Sequence, residues 1–174
     1  MKNFLYQLLF FLFGFTACAQ PPANRPALEN PEFDKKLSRM LSFSVPLTGV
    51  NDLAKYKDDY YILDAREADE YRVSHIPGAR FIGYDNFAEK SVEDIPRDAA
   101  VVVYCSVGYR SEKIGEKLRK QGFTNVSNLY GSIFEWVNAG YELENEDGSP
   151  TKRVHTYNKK WSQWVIEGRG EKIY

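Results

Sequence analysis

The sequence predicts an α/β fold in which a central parallel sheet is covered by helices on both faces. Three observations carry that prediction. Short strand-type runs around 60–64, 81–82, 101–103 and 126–129 alternate with segments whose apolar residues recur at helical spacing. The run Val101-Val102-Val103 is β-branched and too short for a helix, which reads as a buried strand. Finally, 174 residues with 43% hydrophobic and 27% charged side chains suit one compact domain with short extensions.

The elements follow in order. Asn30-Pro31 is a helix start, with asparagine as N-cap and proline at the first helical position, and Phe33, Leu37 and Leu41 then share a face. Residues 42–46 read as a first strand, with Thr48 capping a short helix that carries Val50, Leu53 and Ala54. Residues 60–64 form a strand pattern ending in the carboxylate of Asp64, residues 67–72 a short helix and residues 74–79 a turn. Phe81-Ile82 is a brief strand and residues 86–92 a helix. After the central strand, Ile114 and Leu118 mark a helix that Gly122 stops. Residues 126–129 give a further strand, and Ile133 to Asn138 a helix ending at Gly140, with Phe134 and Val137 facing inward. In such sheets functional groups gather at the carboxyl ends of strands, where Asp64 and Cys105 both fall.

Cys105 is the candidate nucleophile. It closes the central strand and precedes a tight turn into a helix, so unpaired N–H groups and the positive helix end face its sulfur. Both favour the thiolate, and Arg110 adds a fixed cation. The competing reading is a small inert core residue. Gly108 and Arg110 stand where a plain core position has no need of them.

Composition excludes several classes. A net charge of −1 without a long basic run argues against nucleic acid as the main partner. Two cysteines in dissimilar contexts form neither a disulfide framework nor an obvious pair. With only two histidines, widely scattered, no metal site is expected, nor any cofactor.

Lys2 precedes an apolar run from Phe4 to Phe15 that is too short to span a bilayer but suits a signal-peptide core. Thr16 and Ala17 lead to Cys18, and this resembles the lipobox of bacterial lipoproteins, although Phe15 replaces the usual leucine. The resemblance implies a signal peptide over residues 1–17 and lipidation at Cys18. Ordinary secretory cleavage and an uncleaved anchor are the alternatives. Residues 18–29 have the proline-rich composition of a flexible tether. Ala19 after the lipid site implies outer-membrane rather than inner-membrane delivery, with the domain facing the periplasm.

Three further motifs occur together. Leu63-Asp64-Ala65-Arg66-Glu67-Ala68-Asp69-Glu70-Tyr71 is followed by His75-Ile76-Pro77-Gly78-Ala79. Then come Cys105-Ser106-Val107-Gly108-Tyr109-Arg110-Ser111 and Asn128-Leu129-Tyr130-Gly131 with Trp136 and Gly140. In this order and spacing, over about residues 40–143, the chain resembles a rhodanese (thiosulfate sulfurtransferase) homology domain. Ser132 departs from a frequent family glycine, a change expected to affect the loop before the last helix more than the chemistry.

The resemblance implies a rhodanese-like fold over 30–143 and a Cys105 persulfide as the sulfur carrier. The donor would be thiosulfate or a similar small anion, and the acceptor a thiol or cyanide. The loop amides from Ser106 through Val107, Gly108, Tyr109 and Arg110 to Ser111 would cradle the outer sulfur, with Arg110 helping to bind the anionic donor. Asp64 is expected to pair with Arg66 or to cap the active loop. Arg66 is its structural partner, a substrate contact being the lesser alternative. His75 is assigned to a structural turn, Trp136 to core packing, and Tyr109 to shaping access.

Four residues separate Cys105 from Arg110, whereas cysteine phosphatases related to this fold hold five. The shorter loop favours a sulfur atom over a phosphoryl group. A non-catalytic binding or redox-sensing module at the cell envelope is the alternative function. Beyond the breaker Gly148-Ser149-Pro150, residues 144–174 form a C-terminal extension. Trp161 and Trp164, at helical spacing, predict a short helix packed on the domain, with a membrane-surface or partner contact as the other reading.

Overall fold

The computed structural model describes residues 20–174; the apolar N-terminal run and Cys18 lie outside the described residues. Five parallel strands form the sheet: β1 (Leu47–Thr48), β2 (Tyr61–Asp64), β3 (Arg80–Phe81), β4 (Val101–Tyr104) and β5 (Val126–Leu129), in the spatial order β1-β5-β4-β2-β3. The central strand β4 registers Val103 against Leu63 on one side and Asn128 on the other.

All four residues of β4 are buried, and their two-residue alternation divides the core. Val102 and Tyr104 join Phe33 and Leu37 of α1 (Pro31–Ser38), Leu53 of α2 (Val50–Lys55) and Ile133 of α5 (Ser132–Asn138). Val101 and Val103 join Leu63, Val126 and the Ile114/Leu118 face of α4 (Tyr109–Lys120). A strand clothed on both sides has no polar face to present, which is why 101–103 carry no alternating polar residue. Gly115 allows α4 to approach the segment before β1 closely: a Cβ there would stand 3.1 Å from both methyls of Val45.

The expected cap of α1 is present, with Asn30 Oδ1 accepting the N–H groups of Glu32 and Phe33. Other local expectations are corrected. The first strand is Leu47–Thr48 rather than 42–46. The N–H groups of Ser42 and Ser44 instead donate to the buried Glu112 carboxylate, so that segment is tied to α4 and not to the sheet. Thr48 lies in β1, its hydroxyl donating to Ser127 Oγ, and Gly49 takes the N-cap position of α2. Residues 86–92 contain only a 3₁₀ turn at Glu89–Val92, anchored by the single buried residue Val92. The short helix after β2 is α3 (Ala68–Val73).

The C-terminal segment belongs to the same packed body. Two short antiparallel strands, β6 (Leu143–Glu144) and β7 (Pro150–Thr151), precede a parallel pair, β8 (Arg153–His155) and β9 (Glu171–Ile173). In place of the expected helix there is a 3₁₀ turn at Ser162–Trp164. Trp164 stacks on Phe33 with ring centroids 5.4 Å apart, and Asn138 bonds the backbone of Trp164 and Ile166. Held between the sheet and this segment, α5 is buried on every side.

Candidate active site

Two helix N-termini converge on the carboxyl end of β4. The first turn of α4 begins at Gly108, whose φ of +112° is a conformation side-chain-bearing residues rarely adopt. This sharp bend folds the loop back so that the Gly108 N–H donates to Cys105 Sγ at 3.1 Å. From the other side, α5 directs the N–H groups of Ile133 and Phe134 at the carbonyls of Cys105 and Ser106, at 3.2 and 3.3 Å. The loop is therefore held by backbone geometry before any side chain contributes.

Side chains complete the clamp. Asn128 on β5 donates to the Gly108 carbonyl at 2.9 Å and accepts the Ser111 hydroxyl at 2.7 Å. Ser111 Oγ also lies 3.5 Å from Cys105 Sγ, so its single hydroxyl proton is shared between an amide oxygen and the sulfur. The Cys105 N–H donates to Ser132 Oγ at 3.2 Å. Ser132 sits at φ +54°, which explains a glycine preference there. Its hydroxyl reaches the backbone of Cys105, so the departure touches this loop and not only the turn before α5.

Burial pushes the Cys105 thiol pKa up, but the Arg110 charge, the Ser111 hydroxyl and the Ser111 and Gly108 amides together bring it below the ordinary thiol value. Arg110 is not a free cation. It makes a bidentate pair with Glu70 of α3, at 2.6 and 2.9 Å, and donates to Ser106 Oγ at 3.0 Å. The Ser106 hydroxyl in turn donates to Glu70 at 2.8 Å, so it belongs to this network rather than facing the cleft alone. Burial pushes the Glu70 carboxyl up, yet the Arg110 bonds and charge and the more distant Arg66 charge hold it at about 2.

Asp64 and Arg66 form a separate, fully buried pair. Arg66 donates to both carboxylate oxygens of Asp64, with the shortest contact 2.6 Å, and to the Ser74 carbonyl. Tyr104 donates to Asp64 at 2.6 Å and accepts the Ile76 N–H. Asp64 thus ties β2 to β4 and to the His75–Ala79 turn and does not cap the active loop. Arg66 has no exposed surface. His75 stacks on Tyr71 at 3.8 Å and faces Glu144, in the structural position expected of it. Trp136 is buried, donating to the Glu142 carbonyl.

A cleft of about 370 Å³ opens over Cys105. The loop supplies Ser106, Val107, Tyr109 and Arg110 to its floor and wall. Tyr84, Asp85 and Glu67 line another side, and Tyr157 and Trp161 of the C-terminal segment complete it. The Arg110 guanidinium lies 5.5 Å from the Tyr157 ring centroid, within cation–π range. Tyr157 itself has a φ of +63°, and its N–H donates to His155 Nδ1.

The family model described as a rhodanese-like domain matches residues 50–139. The chain belongs to the rhodanese-like family. It is 34% identical over 80 residues to a thiosulfate sulfurtransferase, GlpE, of Coxiella burnetii, covering 46% of this chain and 74% of that one. It is 36% identical over 93 residues to a tRNA uridine(34) hydroxylase of Pectobacterium carotovorum, covering 51% of this chain and 26% of that protein. The crystal structure of a rhodanese-related protein from Thermoplasma volcanium superposes with a TM-score of 0.53 at 29% identity, over 58% of this chain and 99% of that one. The chain spans 26% to 59% of the length of the first curated relatives it matches. The family match ends before the C-terminal segment, so Tyr157 and Trp161 stand outside it.

Sequence reasoning placed Cys105 and its loop together. It missed Glu70, Asn128 and Ser132 as site residues, and it did not bring Tyr157 and Trp161 to the cleft. A signal for Asn128 was available: a polar side chain inside an apolar strand requires buried partners. No local pattern marks Glu70 or the two aromatics.

Proposed function

We propose that this chain is a sulfurtransferase working through a Cys105 persulfide. The observation that carries the reading is the Cys105 sulfur at a strand end, receiving the Gly108 N–H inside a loop one residue shorter than a phosphate requires. The thiolate attacks the outer sulfur of thiosulfate or a similar donor; that S–S bond breaks, and sulfite leaves with the bonding pair. The product is a Cys105 persulfide, its terminal sulfur anionic and facing the loop amides. A thiolate or cyanide then attacks that sulfur, and Cys105 departs as the thiolate. The lowered thiol pKa supports both steps, since Cys105 is nucleophile in one and leaving group in the other.

The test is the intact mass of the protein after thiosulfate treatment. A gain of one sulfur atom, absent in Cys105→Ala and discharged by cyanide, is expected. No gain, or a gain that survives the substitution, overturns the reading and leaves a binding or redox-sensing module.

The proposed setting is the cell envelope: Cys18 lipidated, the domain tethered by residues 18–29 and facing the periplasm, with the outer membrane as destination. Cys18→Ser is expected to abolish membrane retention and alter N-terminal processing. Unchanged retention and processing would remove this part.

A further inference from the structure

The charges and rings around Cys105 bear on what its cleft admits. Arg110 is the one cation among the described residues that line it, and Glu70 neutralises that charge through two hydrogen bonds. The remaining charged lining groups are carboxylates, Glu67 and Asp85, and neither forms an ion pair among the described residues. Four aromatic residues, Tyr84, Tyr109, Tyr157 and Trp161, line the cleft together with Met40 and Val107. The chain's own cations already use three of these rings: Arg110 lies over Tyr157, Lys36 lies 5.8 Å from the Trp161 centroid, and Lys117 lies 5.8 Å from the Tyr84 centroid. A small inorganic dianion gains little from such walls, whereas an aliphatic body carrying an ammonium group gains from both rings and carboxylates.

We infer that the cleft selects a thiol or persulfide borne on a small aliphatic body with a positively charged amine, and that Asp85 and the C-terminal Trp161 and Tyr157 set this preference. The acceptor half of the inference rests on the sulfurtransferase reading. Such an acceptor, entering as the thiolate, would take the outer sulfur of the persulfide while Cys105 leaves as a thiolate. The new S–S bond on the amine-bearing molecule replaces the one broken at the enzyme, so no outside oxidant or reductant is required.

The preference can be read without any persulfide. The 2-aminoethyl and 2-sulfonatoethyl methanethiosulfonates present the same sulfur and the same sulfinate leaving group to a thiolate but carry opposite charges. At low ionic strength, the cationic-to-anionic rate ratio at Cys105 should exceed that of N-acetylcysteine amide by roughly tenfold. Asp85→Asn should reduce that ratio by roughly threefold, and added salt should compress it. Trp161→Ala should slow the cationic reagent more than the anionic one, consistent with loss of an aromatic wall. A ratio equal to that of the free thiol, or one unmoved by Asp85→Asn, overturns the inference. The persulfidated protein, discharged with cysteamine or 3-mercaptopropionate, should show the same change in ratio between wild type and Asp85→Asn. Failure to load sulfur from thiosulfate would defeat the sulfurtransferase reading while the reagent ratio still decides the charge preference.

Discussion

Two arginine–carboxylate pairs lie by the carboxyl ends of β2 and β4, and their differences separate scaffold from chemistry. Asp64–Arg66 has side chains with 0% exposure on both partners and is enclosed by Tyr104 and the Ser74 carbonyl. Glu70–Arg110 retains 4% and 15%, lies at the cleft, and shares the Ser106 hydroxyl with the loop. The same two functional groups therefore do different work. Where water is fully excluded, breaking a pair strands a charge, so its role is to hold strands and turn in register. At the cleft edge, the Arg110 charge lowers the Cys105 thiol pKa while the guanidinium keeps some exposed surface.

The largest effect should come from the buried pair. Asp64→Ala leaves the Arg66 guanidinium uncompensated and is expected to cost about 3–5 kcal/mol in urea unfolding. The double change Asp64→Leu with Arg66→Met should cost less, and neither should move the pH midpoint of Cys105 alkylation appreciably. A large shift in that midpoint would erase the distinction between the two pairs.

Glu70→Gln probes the second pair through acid stability. The folded carboxyl is held at about 2 against an ordinary 4.5, so the unfolded chain binds this proton first as the pH drops. Its contribution is fully present above about pH 4.5 and is lost as the pH falls through about 2, on the order of 3 kcal/mol in all. Urea midpoints of the wild type should therefore decline more steeply than those of Glu70→Gln between these limits. Parallel declines would show that the pair does not carry the acid limb.

Reactivity should divide Arg110 from Glu70. Arg110→Met removes the leading stabiliser of the Cys105 thiolate and should raise the alkylation midpoint by roughly one unit. Glu70→Gln leaves Arg110 uncompensated and should lower it. Iodoacetamide rates across pH give both midpoints, and shifts in the same direction would contradict this division.

The smallest effect concerns Ser132. Ser132→Ala leaves the buried Cys105 N–H unpaired, for about 1 kcal/mol in thermal or urea unfolding. Ser132→Gly loses the same bond but relieves the positive φ, so it should be closer to wild type. Equal losses in the two variants would assign the whole effect to the hydroxyl.

Much of the fold was legible along the chain. The valine run of β4, the Asn30-Pro31 cap and the Ile114/Leu118 periodicity each follow from interactions within a few residues. Errors arose where a segment's backbone found partners far away. Ser42 and Ser44 donate to Glu112 instead of to a neighbouring strand, and the Trp161–Trp164 stretch forms a 3₁₀ turn against Phe33 and Asn138. Periodicity shows that Trp161 and Trp164 seek burial, but it does not say against what.

The same division holds at the site. By itself, the sequence determined a cysteine at a strand end, a glycine that turns the loop, an arginine at the helix start and the four-residue spacing between cysteine and arginine, because all of these lie within six residues of Cys105. Only the tertiary structure decided that Arg110 is neutralised by Glu70 from α3, that Ser132 and Asn128 hold the loop, and that the C-terminal Tyr157 and Trp161 wall the cleft. These partners lie 23 to 56 residues from Cys105 or 40 from Arg110 in sequence, counted from their numbers. What brings them together is burial and the cost of leaving an enclosed donor or charge without a partner. That cost is lowered in space, by whichever group the packed sheet and helices deliver, and not along the chain.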